Sequence, residues 1–167
     1  MNAIAETAPA AESALRKGGE LVLEEFFAGR SYARGSFHGR FDKSERWLSV
    51  VIDGHWDGVT LTMAEDFAYD DGEKDRKTWR FTRTGHRTYR ATREDVIGVA
   101  RAYGDGAAMR LDYVVALRME KWGVIHLRFR DRLTLEPDGT VRNRALVSKW
   151  GIRVGHVDLV MTREEAV

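Results

Sequence analysis

The fold is decided in residues 56–72, which read WDGVTLTMAEDFAYDDG. Turn-forming residues bound this run, Asp57-Gly58 at its start and Asp70-Asp71-Gly72 at its end. Between the two turns, large apolar residues alternate with small or polar ones, as in a β-strand that buries one face. The predicted inward face holds the odd-numbered residues Val59, Leu61, Met63, Glu65, Phe67 and Tyr69.

Similar turn signals recur after Arg30 and separate strand-like runs rich in Val, Leu, Tyr, Phe, Trp and Thr. They lie at 42–45, 84–85, 104–106, 120–123 and 137–139. No segment between them has a helical period long enough to cross over a parallel sheet. About eight to ten meandering strands can stack as a sandwich or close on themselves, and closure removes the exposed edges. We therefore predict an all-β fold, a single antiparallel up-and-down β-barrel.

A short helix is predicted before the first strand. Residues 20–27 read ELVLEEFF, which places Leu23, Phe26 and Phe27 on one face with the glutamates opposite. This apolar stripe is expected to close one end of the barrel or to lie along its outside. We expect residues 1–18 to be a flexible tail and residues 19–163 to form one barrel domain with the helix at its start.

Composition excludes several classes of function. The 27 Lys and Arg against 26 Asp and Glu leave a formal net charge of +1, so no overall field favours nucleic acid or an anionic membrane. The absence of cysteine excludes disulfides, thiolate catalysis and lipid attachment through a cysteine. The first residues have neither a basic segment nor a long apolar run, so we expect no signal peptide, no membrane span and a cytoplasmic protein.

Motifs for bound metals and cofactors are missing from the sequence. The five histidines lack the local spacings that gather metal ligands, and residues 104–106 lack the third glycine of a dinucleotide loop. There is also no P-loop and no nucleophile elbow. We therefore predict no metal and no cofactor.

A basic cluster flanks Tyr89. Arg83, Arg87, Arg90 and Arg93 surround it, a mixture that suits single-stranded nucleic acid. A solvated strand face that discourages aggregation is the favoured interpretation, so we predict no nucleic-acid partner.

Two carboxylates interrupt the apolar inward faces. Glu65 lies among the inward residues of its strand, and Asp131 holds the same place in the strand of residues 125–133. An ionised carboxylate in a core is costly, so either a cation pairs with it or its pKa rises. We predict a buried polar cluster that either fixes the register of the barrel or binds a ligand. The predicted ligand-binding residues are Glu65, Tyr69, Arg76, Trp79, Arg80, Asp131, Asn143 and Arg144.

An ordered string of motifs covers most of the chain. It runs from residues 56–58 through EDFAYDDG at 65–72, Arg76 and Trp79, and ends in NRA at 143–145 and SKWGIRVG at 148–155. The string resembles an uncharacterised bacterial domain-of-unknown-function family, DUF3833, over roughly residues 26–161. The resemblance implies a lipocalin-like, calycin-like barrel and names no activity. Many members look like lipoproteins, but this sequence lacks their lipid-bearing cysteine, so outer-membrane anchoring is not carried over.

Three functions remain open at this point. The favoured one is a binding protein for a small, largely hydrophobic molecule inside the barrel, with Glu65, Arg80, Asp131 and Asn143 orienting its polar end; five tryptophans offer pocket lining. The second is an isomerase, cyclase or hydratase that uses Glu65 or Asp131 for proton transfer. The third is a structural or interaction module, such as a homodimer, that uses the helix stripe and exposed aromatic residues.

Overall fold

Ten antiparallel strands form a closed barrel in the computed structural model, which describes residues 19–164. The strands are Gly29–Gly39 (β1), Glu45–Trp56 (β2), Thr60–Tyr69 (β3), Lys74–Gly85 (β4), Thr88–Thr92 (β5), Ala100–Asp105 (β6), Ala108–Met119 (β7), Gly123–Leu135 (β8), Val141–Lys149 (β9) and Ile152–Thr162 (β10). Each strand pairs with its neighbours in sequence, and β1 pairs with β10. The predicted up-and-down barrel is thus confirmed. The tail predicted for residues 1–18 lies outside the described residues.

The helix, Leu23–Phe27 (α1), closes one end of the barrel. Its apolar side chains belong to the same buried core as the strand residues around it. The carbonyl of Phe27 lies so near Gly54 that a Cβ there would stand 1.7 Å from the carbonyl oxygen, which explains a glycine near the end of β2. Arg87 donates hydrogen bonds to the carbonyls of Leu21, Gly106 and Ala108. These bonds connect the chain just before α1 to the β6–β7 turn. The apolar stripe of α1 therefore closes one end of the barrel, as in the first of the two predicted positions, and does not lie along the outside.

The barrel interior differs between its two ends. Near α1, the inward residues Ile52, Leu61 and Val141 are at most 1% exposed. Towards the other end, Phe67 and Phe129 also face inward but are only half-buried, so solvent reaches the interior there. We call these the closed end and the open end; the β1–β2, β3–β4, β7–β8 and β9–β10 turns surround the open end.

The link between β5 and β6 runs along β7 at the open end. Ile97 N–H donates to the Val114 carbonyl at 2.9 Å, and Ala116 N–H donates to the Asp95 carbonyl at 2.8 Å. These bonds hold the otherwise irregular segment 93–99 as if it were a further short strand. Residues at its start are thereby fixed over the barrel interior.

No helix in residues 19–164 is long and apolar enough to cross a membrane.

Candidate functional site

A group of polar side chains turns into the barrel between the closed end and the open end. Glu65 comes from β3, Asp131 from β8 and Asn143 from β9, and each is no more than 9% exposed. Each occupies an inward position of its strand because side chains alternate between the two faces. We call the following set the inner polar cluster: Glu65, Arg93, Asp95, Tyr113, Asp131 and Asn143.

Asp131 is held through one of its two oxygens. Asn143 Nδ2 donates a hydrogen bond to Asp131 Oδ2 at 3.0 Å, and the Tyr113 hydroxyl approaches the same oxygen at 3.4 Å. The β8–β9 register makes this possible, since Asp131 pairs with Ala145 and Asn143 is the next inward residue along β9. Burial raises the pKa of Asp131 to about 6, against the opposing effect of the Asn143 hydrogen bond.

Glu65 lies beside a cation without bonding to it. Arg93 Nη1 is 3.9 Å from Glu65 Oε2, too far for a hydrogen bond. Arg93 instead makes a bidentate pair with Asp95, with N···O distances of 2.6 and 3.0 Å. Burial raises the pKa of Glu65 to about 7, because the nearby charge of Arg93 offsets only part of the lost hydration. The ionisation of Glu65 therefore changes near neutral pH.

Three acceptor atoms of the cluster have no hydrogen-bond partner among the described residues. They are Glu65 Oε2, Asp131 Oδ1 and Asn143 Oδ1. Buried polar atoms nearly always have a partner, since leaving one without costs about 1–3 kcal/mol. An amide oxygen only accepts hydrogen bonds, and so does an ionised carboxylate. A molecule that satisfied these atoms would therefore have to donate hydrogen bonds.

An aromatic wall adjoins the cluster. Trp79 meets Tyr113 edge to face with ring centroids 5.1 Å apart, and Tyr113 stacks on Phe129 at 5.2 Å. The Arg93 guanidinium lies over the Trp79 ring, 4.8 Å from its centroid. The open half of the barrel thus offers flat apolar surface next to unsatisfied acceptors, a combination typical of small-molecule sites.

The chain matches a known family model along nearly its whole length. A family model described as a protein of unknown function, DUF3833, matches residues 3–163. The chain belongs to the DUF3833 family. The resemblance found in the motif string is thus confirmed.

A phycobiliprotein lyase is among the solved structures that share the fold of this DUF3833 protein. It is the S-type phycobiliprotein lyase CPES from Guillardia theta, with a TM-score of 0.62 and 14% sequence identity, over 93% of this chain and 98% of that chain. At that identity the likeness establishes a lipocalin-like fold and no activity. No curated protein matches this DUF3833 chain.

The structure brings five of the eight predicted site residues of the DUF3833 chain to the interior. Glu65, Asp131 and Asn143 belong to the inner polar cluster, and Trp79, 4% exposed, contacts it through Arg93 and Tyr113. Tyr69 faces inward nearer the open end, where it is half-buried under the Arg46 guanidinium, 3.7 Å from its ring centroid.

The three predicted arginines lie on the outer surface. Arg76 pairs with Asp66 at 3.5 Å, and Arg144 lies 3.7 Å from an oxygen of Asp158. Arg80 is exposed on β4. Alternation explains the placement, since Arg80 follows the inward Trp79 and Arg144 follows the inward Asn143. The structure therefore does not join these arginines to the cluster.

The expectation of a solvated basic face around Tyr89 needs correction. Arg90 is exposed, but the side chains of Arg87 and Arg93 are only 8% and 13% exposed. Tyr89 is inward, and Arg93 lies an even number of residues after it, so alternation already indicated an inward Arg93. Arg87 instead lies at the closed end, where its guanidinium donates hydrogen bonds to backbone carbonyls.

The five tryptophans do not share one environment. Trp79 alone is buried, and Trp56 is half-buried near the closed end. Trp47, Trp122 and Trp150 are 53%, 75% and 89% exposed. Only Trp79 therefore lines the inner polar cluster, and the exposed three need another explanation.

Proposed function

We propose that this DUF3833 protein binds a small, largely apolar molecule inside the barrel, and that the polar end of the molecule donates hydrogen bonds. The observation that carries the proposal is the set of buried acceptors on Glu65, Asp131 and Asn143 that have no partner in residues 19–164. A phycobiliprotein lyase has the same barrel fold, which supports small-molecule binding as the class of function. We also propose that the protein is located in the cytoplasm, as the sequence predicts.

The charges around the cluster favour a cationic donor such as a protonated amine. Arg93 is neutralised by its bidentate pair with Asp95, and Lys77 lies 3.2 Å from Asp75 and 3.9 Å from Asp95. Glu65 and Asp131 therefore lack a fully matching positive charge once both are ionised. Hydrogen bonds that join a cation to a carboxylate are roughly twice as strong as neutral ones.

Two matched probes test the polarity of the site. We expect 2-(aminomethyl)naphthalene to bind more tightly at about pH 8 than at about pH 5, because Glu65 and Asp131 ionise between those values. The probe 2-naphthoate has the same two rings and an anionic end, so its affinity should stay lower and fall as the pH rises. Isothermal titration calorimetry measures both trends.

Isosteric variants locate the binding. Glu65→Gln and Asp131→Asn each keep size but remove charge, and each should weaken the amine by roughly tenfold or more. Arg80→Gln, on the outer surface, is the matched control and should change nothing. Native mass spectrometry and an absorption spectrum of freshly purified protein would reveal a retained ligand. A barrel that carries no added mass and binds neither probe, or prefers the naphthoate, would contradict the proposal.

One observation favours a second candidate, an acid–base enzyme of the isomerase, cyclase or hydratase type. The pKa of Glu65 near 7 suits a group that both accepts and releases a proton at neutral pH. Titration of both carboxylates by carbon-detected NMR tests it. Ionisation of Glu65 and Asp131 in the ordinary acidic range would remove the rationale for this candidate.

A further inference from the structure

Large apolar side chains are exposed around one side of the open end. They lie in or directly beside the β1–β2, β9–β10 and β7–β8 turns, which are neighbours because β10 pairs with β1 and β9 pairs with β8. We call this side the aromatic rim, and its members are Phe41, Met119, Trp122, Val124, Trp150 and Ile152, each between 38% and 89% exposed. Exposed apolar groups concentrated in one place mark an interaction surface.

Two turns of the aromatic rim carry the same short sequence. Residues 121–124 read KWGV and residues 149–152 read KWGI, each with a lysine, a tryptophan, a glycine and an aliphatic residue in order. In both, the tryptophan occupies the tip of a hairpin, and the glycine after it has a positive φ. The barrel thus presents two neighbouring Lys-Trp tips, one in a three-residue loop and one in a two-residue loop.

The backbone of Trp150 adopts a left-handed conformation that is strained for a bulky residue. The loop has two residues, since Lys149 pairs with Ile152, and both Trp150 and Gly151 have positive φ values of 50° and 77°. Asn, Asp or Gly is preferred at the first of these positions, and a bulky residue is strained there. Trp150 is 89% exposed, with the Lys149 ammonium 4.5 Å from its ring centroid. Burial in the barrel therefore does not offset the strain.

The charge around the two tips is positive. Residues 117–124 and 148–153 contain Arg118, Lys121, Lys149 and Arg153 against a single carboxylate, Glu120. Across the mouth of the barrel, the β3–β4 turn is acidic, with Asp70, Asp71 and Glu73. The aromatic rim therefore matches a partner that is both anionic and able to accept apolar groups.

We propose that the aromatic rim docks on the surface of an anionic lipid bilayer, with Trp122 and Trp150 at the level of the headgroups. Tryptophan concentrates at this depth because its ring is largely apolar and its indole N–H still reaches a polar partner. Lys121 and Lys149 lie next to the inserted rings and meet the lipid phosphates. The open end of the barrel then faces the membrane, although the docking itself does not depend on the proposed ligand.

Vesicle binding by the full chain tests the tryptophans. At low salt the protein should sediment with vesicles of phosphatidylcholine and phosphatidylglycerol, and brominated lipids should quench its tryptophan emission. The double variant Trp122→Gln with Trp150→Asn should lower the partition coefficient roughly tenfold or more. Asn suits the left-handed position of residue 150, so this variant should keep its fold. Val59→Ser is the matched control, since Val59 is 57% exposed at the closed end.

A second pair of variants tests the charge. Lys121→Gln with Lys149→Gln should reduce binding to the anionic vesicles roughly 25-fold, because each cation near such a surface contributes about fivefold. Binding to vesicles of pure phosphatidylcholine should be weak and unchanged by this pair. Arg90→Gln, exposed on the outer face of β5, is the charge control and should retain binding.

Three results would overturn the docking. One is a wild-type chain that stays in the supernatant with both kinds of vesicle at low salt. Another is a double tryptophan variant that binds as well as the wild type. The third is a dimer in analytical ultracentrifugation that the same tryptophan variant dissociates, because a second copy of the chain would then cover the aromatic rim.

Discussion

At the closed end of the barrel the inward residues are almost all apolar and lie under α1, whereas the next inward residues towards the open end include two buried carboxylates, and those at the open end keep solvent access. Leu61 and Val141 represent the first region, with no exposed surface, and Phe129 beside Asp131 represents the second. Both regions use the same strands, and the register shifts only locally, between Arg153 and Gly155 in β9–β10 and between Arg83 and Gly85 in β4–β5. The difference therefore comes from side-chain choice along each strand and not from a change of architecture.

This chain therefore concentrates its apolar packing at one end, where Ser31 Oγ is buried without a partner in residues 19–164, and leaves three carboxylate and amide oxygens without one farther along the barrel. A buried ion at the closed end, Arg87, has three carbonyl partners. At the open half, Glu65 and Asp131 each retain an oxygen with no partner in the described chain. Proteins accept such a loss of stability mainly where a site requires it.

The largest expected effect comes from removing packing at the closed end. Phe27→Ala should lower the free energy of unfolding by about 3–5 kcal/mol, because Phe27 is 2% exposed and its cavity cannot be filled by solvent. Phe129→Ala, the same change at a half-buried inward position, should cost only about 1–2 kcal/mol. Urea denaturation measures both. Equal losses would show that the two ends are packed alike.

An intermediate effect is expected from the pH dependence of stability. The pKa of Glu65 is raised from 4.5 to about 7 in the folded state, so the folded chain holds this proton more tightly than the unfolded chain does. The resulting stabilisation is complete below pH 4.5 and is lost as the pH rises to about 7, with a total of about 3 kcal/mol.

The variant Glu65→Gln isolates that contribution. Its free energy of unfolding, measured in urea at a series of pH values, should match the wild type at the acidic limit and exceed it by up to about 3 kcal/mol above neutrality. Asp66→Asn, on the outer face of the same strand, is the control. Curves for Glu65→Gln and the wild type that run parallel would show that Glu65 titrates normally in the folded protein.

Much of the barrel can be predicted from the sequence, because side-chain alternation and turn residues are local signals. They placed Glu65 and Asp131 on the inward faces and indicated closed meandering strands. The same alternation places Arg80 and Arg144 on the outer face, because each follows an inward residue, and Arg93 on the inward one. The strand face, and not the chemical type, therefore decides which arginine reaches the interior.

Other features depended on contacts between distant segments. Segment 93–99 has no periodicity, and its position follows from hydrogen bonds to β7 that no local pattern specifies. The choice between the two predicted positions of α1 was decided by the close approach at Gly54 and by the carbonyl contacts of Arg87. The carboxylates of the site could therefore be predicted from the sequence, while the pairing of Arg93 with Asp95 beside them depends on the tertiary structure.

The smallest expected effect concerns the backbone at the two ends. Arg87 and Trp150 both have a positive φ, 48° and 50°, in a region where bulky residues are strained. Trp150→Asn should raise the free energy of unfolding by about 0.5–1 kcal/mol, because asparagine tolerates this conformation in a two-residue turn. The same change at Arg87 should be destabilising instead, since it removes the hydrogen bonds to three carbonyls. Thermal and urea unfolding would separate the two cases.

A gain in stability at residue 150 combined with a loss of vesicle binding would mean that Trp150 is present for contact with a membrane. A loss of stability would mean instead that the exposed ring supports the fold.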